Sequence, residues 1–365
     1  MLKDHLKQLA ERLRQEKLDA ILLGPSSDLE YLAGLSLFAD ERFKGIVVLA
    51  DGRVFSIVPR LYREQMESVL GPGCPECVWD DAEGFLEKVS ARWKEFALQG
   101  KKVAVNDGIR AVDLIDLQRV LPGTTFVNGH YVVEAMRLVK SPGEMDLLRK
   151  AARIADEAFT ELLPSIRPGV REGEVARRLE DLLLEKGADG LSFPTIVASG
   201  PNGSNPHYMG SSRVLCEGDP VVIDFGCTYR GYCSDTTRTV FVGKASEEDQ
   251  AIYRVVLEAN LAGEAAAREG ASAQDVDRAA RSVIEKAGFG EYFINRTGHG
   301  IGVAVHEAPY IMEGNLQELR KGMAFSVEPG IYIPGRLGIR IEDIVLVTEN
   351  GAEPLSALPK EVTIA

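Results

Sequence analysis

Two aspartates in the stretch VVIDFGCTYRGYCSDTTR, residues 221–238, constrain the fold of this chain more than any other feature. An apolar run leads to Asp224, a turn is predicted at residues 229–231, and Asp235 follows the turn. This pattern predicts a β-hairpin whose two carboxylates lie opposite each other or one diagonal apart on the same face. Carboxylates repel each other there and lose hydration when buried, so they are either exposed to solvent or balanced by positive charge.

The composition is that of a globular protein with an acidic surface. The chain has 365 residues, of which 45% are hydrophobic and 27% are charged, and this length predicts about two domains. The formal net charge of -13 disfavours nonspecific binding to nucleic acid or to anionic membranes. Because no apolar run is long enough for a membrane span, we expect neither nucleic acid nor a membrane among the partners.

The N-terminus and the cysteines indicate a cytoplasmic protein. An apolar stripe that begins at Leu2 and continues to Leu13 among charged residues predicts an amphipathic helix rather than a signal peptide. The chain has five cysteines, an odd number, and no export signal, so we expect a reducing cytoplasm and no disulfide framework. Cys74 and Cys77 lack the context of a redox or zinc motif and are interpreted as loop residues.

Two domains with different sequence patterns are predicted, a smaller one at residues 1–134 and a larger one at residues 135–365. From residue 18 to about residue 130, short β-branched runs alternate with helical stretches, which predicts a mixed α/β domain. In the larger domain Ser141, Ser246 and Ser272 have the pattern of helix N-caps, and each helix pair precedes strand-like chain rich in glycine. The expected fold class is therefore α/β in the broad sense that includes α+β folds, with helices and strands in both domains.

Histidines and glutamates follow the hairpin at short intervals along the sequence. Of the five histidines, His299 and His306 occur in RTGHGIGVAVHEAPY, and His207 occurs in the loop SGPNGSNPHY. Glu328 precedes a proline in SVEPGIY, and Glu342 interrupts the β-type run IRIEDIVLV, where a glutamate is disfavoured unless it is paired. Histidines together with buried carboxylates favour a reactive site over a structural one.

These motifs predict a two-metal site. The candidate ligands are four carboxylates and one imidazole: Asp224, Asp235, His299, Glu328 and Glu342. This oxygen-rich set suits Mn²⁺ or Co²⁺ best, and Fe²⁺ or Zn²⁺ can also bind it. Four negative charges match two divalent cations, which would stabilise a bridging hydroxide and polarise the carbonyl that the hydroxide attacks.

Four motifs together resemble the "pita-bread" metallopeptidases, the family of methionine aminopeptidase, aminopeptidase P and prolidase. The motifs are DFGCTYRGYCSDTTRT, TGHGIGVAVHE, VEPGIY and RIEDIVLVTENG, in the family's order. The two-domain layout and the motif YRGYCSDTTRT resemble the proline-specific members of the family more than methionine aminopeptidase. The resemblance implies a creatinase-like α/β N-terminal domain followed by a pita-bread catalytic domain, in which helices flank a curved antiparallel sheet.

The resemblance also implies how the five candidate ligands share two metal ions. Asp224 would bind one ion, and Asp235 and Glu342 would bridge both. His299 and Glu328 would complete the coordination of the other ion.

Four residues are implied in catalysis or substrate binding. Glu328 would shuttle protons, and His306 and His207 would hold the substrate and stabilise the oxyanion. Arg340 lies two residues before Glu342, on the same face of a predicted strand. It would orient the substrate or a carboxylate, or else form an ion pair that steadies the acidic cluster.

The expected function is hydrolysis of the bond between an N-terminal residue and proline by a cytoplasmic metallopeptidase. The substrate would be a short proline-containing peptide, and the resemblance suggests a homodimer. Both activities of the proline-specific branch stay open, dipeptidase (prolidase) and aminopeptidase P, with a preference for the dipeptidase. Two alternatives also stay open, a metal-free creatinase-like amidinohydrolase and a noncatalytic peptide-binding scaffold, although the intact ligand set argues against both.

Overall fold

The computed structural model describes residues 2–365, which fall into two compact units divided between Arg137 and Leu138. The helices of the first unit are α1 (Leu2–Gln15), α2 (Ser27–Ala33), α3 (Arg63–Leu70), α4 (Leu86–Glu95), α5 (Ala111–Val120) and α6 (His130–Arg137). Its strands are β1 (Ala20–Leu23), β2 (Gly45–Leu49), β3 (Val54–Pro59), β4 (Glu76–Trp79), β5 (Lys102–Val105) and β6 (Thr125–Asn128).

The strands of the first unit form one mixed sheet in the order β4-β3-β2-β1-β5-β6. β1 pairs antiparallel with β2 and parallel with β5, and it is buried on both faces. Its side chains alternate: Ile21 and Leu23 pack toward α1, α2 and α6, whereas Ala20 and Leu22 pack toward α4 and α5. Helices therefore cover both faces of the sheet, as a mixed α/β domain requires.

Most strands of the first unit occur where β-branched runs predict them. A hairpin at Asp51-Gly52, a dipeptide typical of such turns, joins β2 to β3, and Gly52 has a φ of 90°. The loop interpretation of the cysteine pair is wrong for Cys77, which is buried in β4. A four-residue strand gives too short a pattern to be recognised beside Pro75 and Gly73.

The second unit contains the longer helices and the remaining strands. Its helices are α7 (Pro142–Leu162), α8 (Glu172–Glu185), α9 (Glu247–Ala266) and α10 (Ala273–Lys286). Its strands are β7 (Gly190–Leu191), β8 (Ile196–Ser199), β9 (Pro220–Phe225), β10 (Cys227–Tyr229), β11 (Tyr232–Cys233), β12 (Thr236–Phe241), β13 (Gly298–Gly300), β14 (Glu307–Ile311), β15 (Ala324–Val327), β16 (Gly330–Ile333), β17 (Leu337–Arg340), β18 (Asp343–Thr348), β19 (Gly351–Pro354) and β20 (Thr363–Ile364).

Local signals set the helix boundaries in the second unit. The hydroxyls of Ser141, Ser246 and Ser272 each accept a hydrogen bond from the backbone N–H three residues later, so all three predicted N-caps are confirmed. Gly187 and Gly288, which follow α8 and α10, have φ angles of 98° and 85°. A left-handed glycine of this kind ends a helix without steric cost.

Two helix pairs cover the strands of the second unit. α7 and α8 pack against β9, where the ring of Phe159 stacks on that of Phe225 with centroids 5.1 Å apart. α9 and α10 pack against β16 and β17 through residues that include Val256 and Ile339. The strands between the helix pairs are antiparallel, except that β20 runs parallel to β12. None of the helices in residues 2–365 is both long and apolar enough to span a membrane.

Candidate metal centre

The hairpin carries Asp224 and Asp235 on one face. β9 pairs with β12 so that Asp224 lies opposite Thr237, and Asp235 is two residues before Thr237. The aspartates are therefore one diagonal apart, which is one of the two arrangements predicted from the sequence. A two-residue turn at Arg230-Gly231 fixes this register, and both residues have positive φ, 49° and 80°.

His299 lies in β13 between two glycines that allow close packing of backbone. A Cβ atom at Gly298 would lie 1.8 Å from the carbonyl oxygen of Ser326, and one at Gly300 would lie 2.0 Å from that of Ala308. The His299 Nδ1 lies 3.1 Å from the Gly300 carbonyl oxygen. The other ring nitrogen, Nε2, faces the carboxylates, 3.3 Å from Glu328 Oε1 and 3.6 Å from Asp235 Oδ2, where it donates its proton to them or, once deprotonated, presents a lone pair to a cation.

The two glutamates lie at strand ends beside the hairpin. Glu342 directly precedes β18 and forms a β-bridge with Thr237, whose hydroxyl donates to Glu342 Oε2 over 2.5 Å. Glu328 directly follows β15 and accepts a hydrogen bond of 3.2 Å from the hydroxyl of Ser326. The bridge to Thr237 brings the downstream sheet against the hairpin, although these residues are about a hundred positions apart in sequence.

All the site residues predicted from the sequence line one cavity of about 300 Å³. Its lining includes the five candidate ligands, the two further histidines and the arginine: Asp224, Asp235, His299, Glu328, Glu342, His207, His306 and Arg340. Ligand atoms of Asp235, His299 and Glu342 lie within 4.8 Å of one another. The protein therefore brings together every residue predicted to belong to the site.

The electrostatics of the cavity suit bound cations. Burial raises the pKa of Asp224, Asp235 and Glu342, and repulsion by neighbouring carboxylates raises it further. For Glu328, burial would also raise the pKa, but the hydrogen bond and charge of His299 hold it below its ordinary value. Among residues 2–365, no hydrogen-bond donor reaches the buried Asp224 Oδ1. An unpartnered carboxylate oxygen within an oxygen-rich donor set fits divalent metal ions.

Arg340 connects Asp224 to the two strands beside it. Its Nη2 donates to Asp224 Oδ2 over 2.6 Å, its Nε to the Thr237 hydroxyl over 3.0 Å and its Nη1 to the Tyr332 hydroxyl over 3.0 Å. The side chain is buried, and burial disfavours its charge, but the surrounding anionic groups outweigh this and raise the pKa of Arg340. The guanidinium thus holds Asp224 with a planar, charge-assisted hydrogen-bond network.

The other two histidines are more exposed than His299. The ring of His306 stands perpendicular to that of His299, with centroids 4.2 Å apart. Although part of the His306 imidazole faces solvent, its partial burial and the positive charges of His299 and Arg296 lower its pKa to about 4. His207 lines the same cavity from the loop after β8.

Sequence reasoning missed several residues that support the ligands. Thr237 and Tyr332 contact Arg340, and Ser326 contacts Glu328. These are common hydroxyl side chains whose partners lie far away in sequence. The one available signal is strand alternation, since Thr237 is two residues from Asp235 and so lies on the same face.

The second unit matches a known family of metal-dependent peptidases. The model of metallopeptidase family M24 matches residues 146–349. The chain belongs to metallopeptidase family M24. Residues 5–139 match the creatinase/prolidase N-terminal domain.

Relatives in this family resemble the whole chain. An Xaa-Pro dipeptidase from Pyrococcus horikoshii is 33% identical over 365 residues, which cover 99% of each chain. The structure of a prolidase from Thermococcus sibiricus has a TM-score of 0.96 and 36% identity, covering 100% of this chain and 99% of that one. An X-Pro aminopeptidase from Thermotoga maritima has a TM-score of 0.87 and 31% identity, covering 99% of each chain.

The family matches and the relatives confirm three predictions made from the motifs. The fold is a mixed α/β N-terminal domain followed by a pita-bread domain, the chain is a metallopeptidase, and it belongs to the family's proline-specific branch. Membership also implies divalent metal ions as cofactors, consistent with the donor set that the cavity presents.

Proposed function

We propose that this M24 metallopeptidase is an Xaa-Pro dipeptidase that depends on two divalent cations. The observation that carries the proposal is the set of four carboxylates and one imidazole lining a single small cavity. Support comes from a relative named Xaa-Pro dipeptidase over 99% of the chain. Mn²⁺ or Co²⁺ is the cation we propose, because oxygen ligands with one imidazole suit both.

The residues proposed to hold the cations are Asp224, Asp235, His299, Glu328 and Glu342. Asp224 would contribute to one ion, His299 and Glu328 to the other, and Asp235 and Glu342 to both. When bound, divalent cations neutralise these carboxylates, polarise a substrate carbonyl and lower the pKa of water.

Glu328 is the proton acceptor and donor in this proposal. Its carboxyl group is ionised at neutral pH, so one of its oxygens accepts a proton from the attacking water. The same carboxyl group then returns the proton to the nitrogen of the leaving proline. Ser326 holds the carboxylate by donating to Oε1, which limits its rotation.

His306 and His207 are proposed to contact the substrate. Since the pKa of His306 is about 4, its imidazole is neutral at physiological pH. A neutral imidazole still has one N–H, which can donate to the oxyanion that forms when the carbonyl is attacked. His207 lies on the loop after β8 and is proposed to hold the peptide's carbonyl side.

Apolar side chains complete the cavity and fit a short peptide that contains proline. Phe193, Ile196 and Val305 line it together with the polar residues. Such walls accept a pyrrolidine ring, because the proline nitrogen in the tertiary amide bond has no N–H that needs a hydrogen-bond partner. The cavity volume of about 300 Å³ lies near the lower limit of pockets for small ligands, which favours dipeptides over longer peptides.

Steady-state kinetics on two substrates tests the proposal. With Mn²⁺ or Co²⁺ added, Ala-Pro should be cleaved faster than Ala-Pro-Ala, and chelation should abolish both activities. Faster cleavage of the tripeptide would contradict the dipeptidase assignment and favour an aminopeptidase P activity. Peptide cleavage that survives complete metal removal would contradict the metallopeptidase mechanism, and creatine hydrolysis under those conditions would favour the amidinohydrolase alternative.

Three further expectations belong to this proposal. We propose a cytoplasmic location, a homodimer and a domain boundary at about residue 135. The location is supported by the odd number of cysteines, and the boundary by the change of sequence pattern near Ser141. Sedimentation equilibrium of the full chain tests the dimer, which a monomeric mass at micromolar concentration would contradict.

A further inference from the structure

Glu172, at the first turn of α8, is a fully buried carboxylate that the proposed chemistry does not use. Its Oε1 accepts hydrogen bonds from the Ser199 N–H over 2.7 Å and from the Ser199 hydroxyl over 2.6 Å. Asn202 Nδ2 donates to both oxygens over 3.1 and 3.2 Å, and the Tyr208 hydroxyl donates to Oε2 over 3.1 Å. A buried carboxylate is costly unless it is saturated in this way, so these contacts hold their donors firmly.

The donors belong to the segment that carries His207. We name residues 200–209 the His207 loop; it begins with the 3₁₀ turn Gly200–Ser204 directly after β8. Glu172 binds this loop on both sides of the histidine, at Asn202 before it and at Tyr208 after it. Asn202 also donates to the Tyr208 hydroxyl over 2.8 Å, which closes the network across the loop.

His207 depends on this network for its position. Within residues 2–365, its backbone N–H bonds to Asn205 Oδ1 over 3.2 Å, but its imidazole makes no hydrogen bond to protein. The side chain is also exposed, so packing does not fix it. The placement of the His207 imidazole at the cavity therefore follows from the backbone of its loop.

Contacts that do not involve the Glu172 carboxylate fix the base of the loop but not its tip. Arg213 Nη1 donates to the Ser199 hydroxyl over 2.5 Å and forms an ion pair with Asp219. At Gly203 a Cβ atom would lie 2.9 Å from the backbone nitrogen of Gly338 in β17. These contacts lie before the histidine or beyond the end of the loop, which leaves the Glu172–Tyr208 bond as the tie next to His207.

We propose that Glu172 is a positioning residue that holds the His207 loop so that His207 reaches the substrate. The inference rests on the proposed function only in assigning His207 a substrate contact. Glu172 itself lies outside the lining of the cavity and touches no reacting atom. Its effect on the reaction passes through His207.

A double-mutant cycle of Glu172→Gln and His207→Ala tests the inference. Glutamine in place of Glu172 keeps the side-chain volume but turns one acceptor into an N–H₂ donor, which opposes the donors of Ser199, Asn202 and Tyr208. We expect Glu172→Gln to lower kcat/KM for Ala-Pro by roughly tenfold to a hundredfold, the range seen when a substrate-binding group is displaced. The double variant should be no worse than His207→Ala alone, because Glu172 acts through His207.

Asp156→Asn is the matched control. Asp156 is also a buried carboxylate of the second unit, and it accepts from the Ser356 hydroxyl and the Ala357 N–H, each over 2.7 Å. Its partners lie in the C-terminal segment rather than in the His207 loop. Asp156→Asn should lower the melting temperature as Glu172→Gln does, while its kcat/KM stays within about twofold of the wild-type value and both variants retain full metal content.

Two results would overturn the inference. One is an unchanged kcat/KM in the stable, metal-loaded Glu172→Gln variant. The other is a double variant whose loss equals the product of the two single losses, which means that the residues act independently.

A spectroscopic measurement separates this inference from the proposed function. The chain has five histidines, so the His207 resonances in a histidine-labelled protein can be assigned by their loss in His207→Ala. Glu172→Gln should shift and broaden these resonances, and Asp156→Asn should not. If the wild-type protein fails to cleave Ala-Pro, the proposed function fails, yet this readout still decides whether Glu172 positions the His207 loop.

Discussion

At the scale of single residues, Arg340 orients carboxylates of the proposed metal site through hydrogen bonds, without being a proposed ligand itself. Its three nitrogens bond to Asp224, Thr237 and Tyr332, and Thr237 in turn bonds to Glu342. Two proposed ligands are thus oriented through one guanidinium. The interpretation of Arg340 as an ion pair that steadies the acidic cluster is the one these contacts favour.

Arg340→Lys should separate a positioning role from a substrate-binding role. Lysine keeps the positive charge but cannot bond to three partners in a plane, so Asp224 loses its orientation. We expect metal affinity to fall by roughly tenfold to a hundredfold with KM little changed at saturating Mn²⁺. Isothermal titration with Mn²⁺ and steady-state kinetics measure both effects. A raised KM with unchanged metal affinity would instead assign Arg340 to the substrate.

Asp235→Ala should abolish both activity and metal loading while the fold persists. Asp235 is buried beside His299 and Glu342, and the substitution removes a carboxylate proposed to contact both ions. Metal analysis after dialysis and circular dichroism measure the two effects. Asp189→Ala is the control, since Asp189 contacts the same hairpin through the Arg230 N–H but is exposed. Two ions per chain in Asp235→Ala would contradict the bridging role.

At the scale of elements, the hairpin turn holds Arg230 in a strained backbone conformation that a substitution can relieve. Arg230 has a φ of 49° in the two-residue turn, where asparagine before glycine is preferred. Arg230→Asn should therefore stabilise the chain by roughly 1 kcal/mol, because left-handed backbone disfavours arginine. Chemical denaturation of the metal-free protein measures the change, with Arg230→Ala as the control that keeps the strain. A lower stability of Arg230→Asn than of Arg230→Ala would contradict this account.

The same elements show why some features could be predicted from the sequence. The caps at Ser141, Ser246 and Ser272 depend on residues three positions away, and the diagonal of Asp224 and Asp235 depends on one short turn. These signals are local, so a single sequence contains them. The metal-ligand motifs could be grouped because a carboxylate rarely occurs within an apolar strand unless it is paired or binds a metal.

The features that sequence reasoning missed depend on packing between distant segments. Glu172 begins an ordinary amphipathic helix, and nothing nearby in sequence indicates that it meets Asn202 and Tyr208. Lys140 and Glu307 likewise form a buried ion pair across 167 positions. Each of these side chains is common on protein surfaces, and only the folded chain shows that it is buried.

At the scale of the whole molecule, stability should respond to metal ions more strongly at about pH 8 than at about pH 5. Burial raises the pKa of Asp235 and Glu342, so between the ordinary and the raised pKa the metal-free folded chain binds more protons than the unfolded chain. Its free energy of unfolding therefore falls as pH rises through this window. Cations bind the ionised carboxylates of the folded chain and restore stability.

Thermal unfolding with Mn²⁺ and with a chelator measures this difference at each pH. The gain in melting temperature caused by Mn²⁺ should be larger at the higher pH, and Asp235→Ala should show little gain at either. An equal gain at both values would show that protons and metal ions do not compete for these carboxylates. The comparison within one pH removes the contribution of acidic residues elsewhere in the chain.

The close packing around His299 limits how this site can be engineered. Gly298 and Gly300 have no room for a Cβ atom, so a mutant library that varies them would lose most of its members to misfolding. A search for altered metal preference is better directed at Ser326 and Thr237, whose hydroxyls contact the carboxylates of the proposed ligands Glu328 and Glu342. The backbone of β13 therefore tolerates little change, whereas the hydroxyl groups that contact the proposed ligands can be varied to change metal preference.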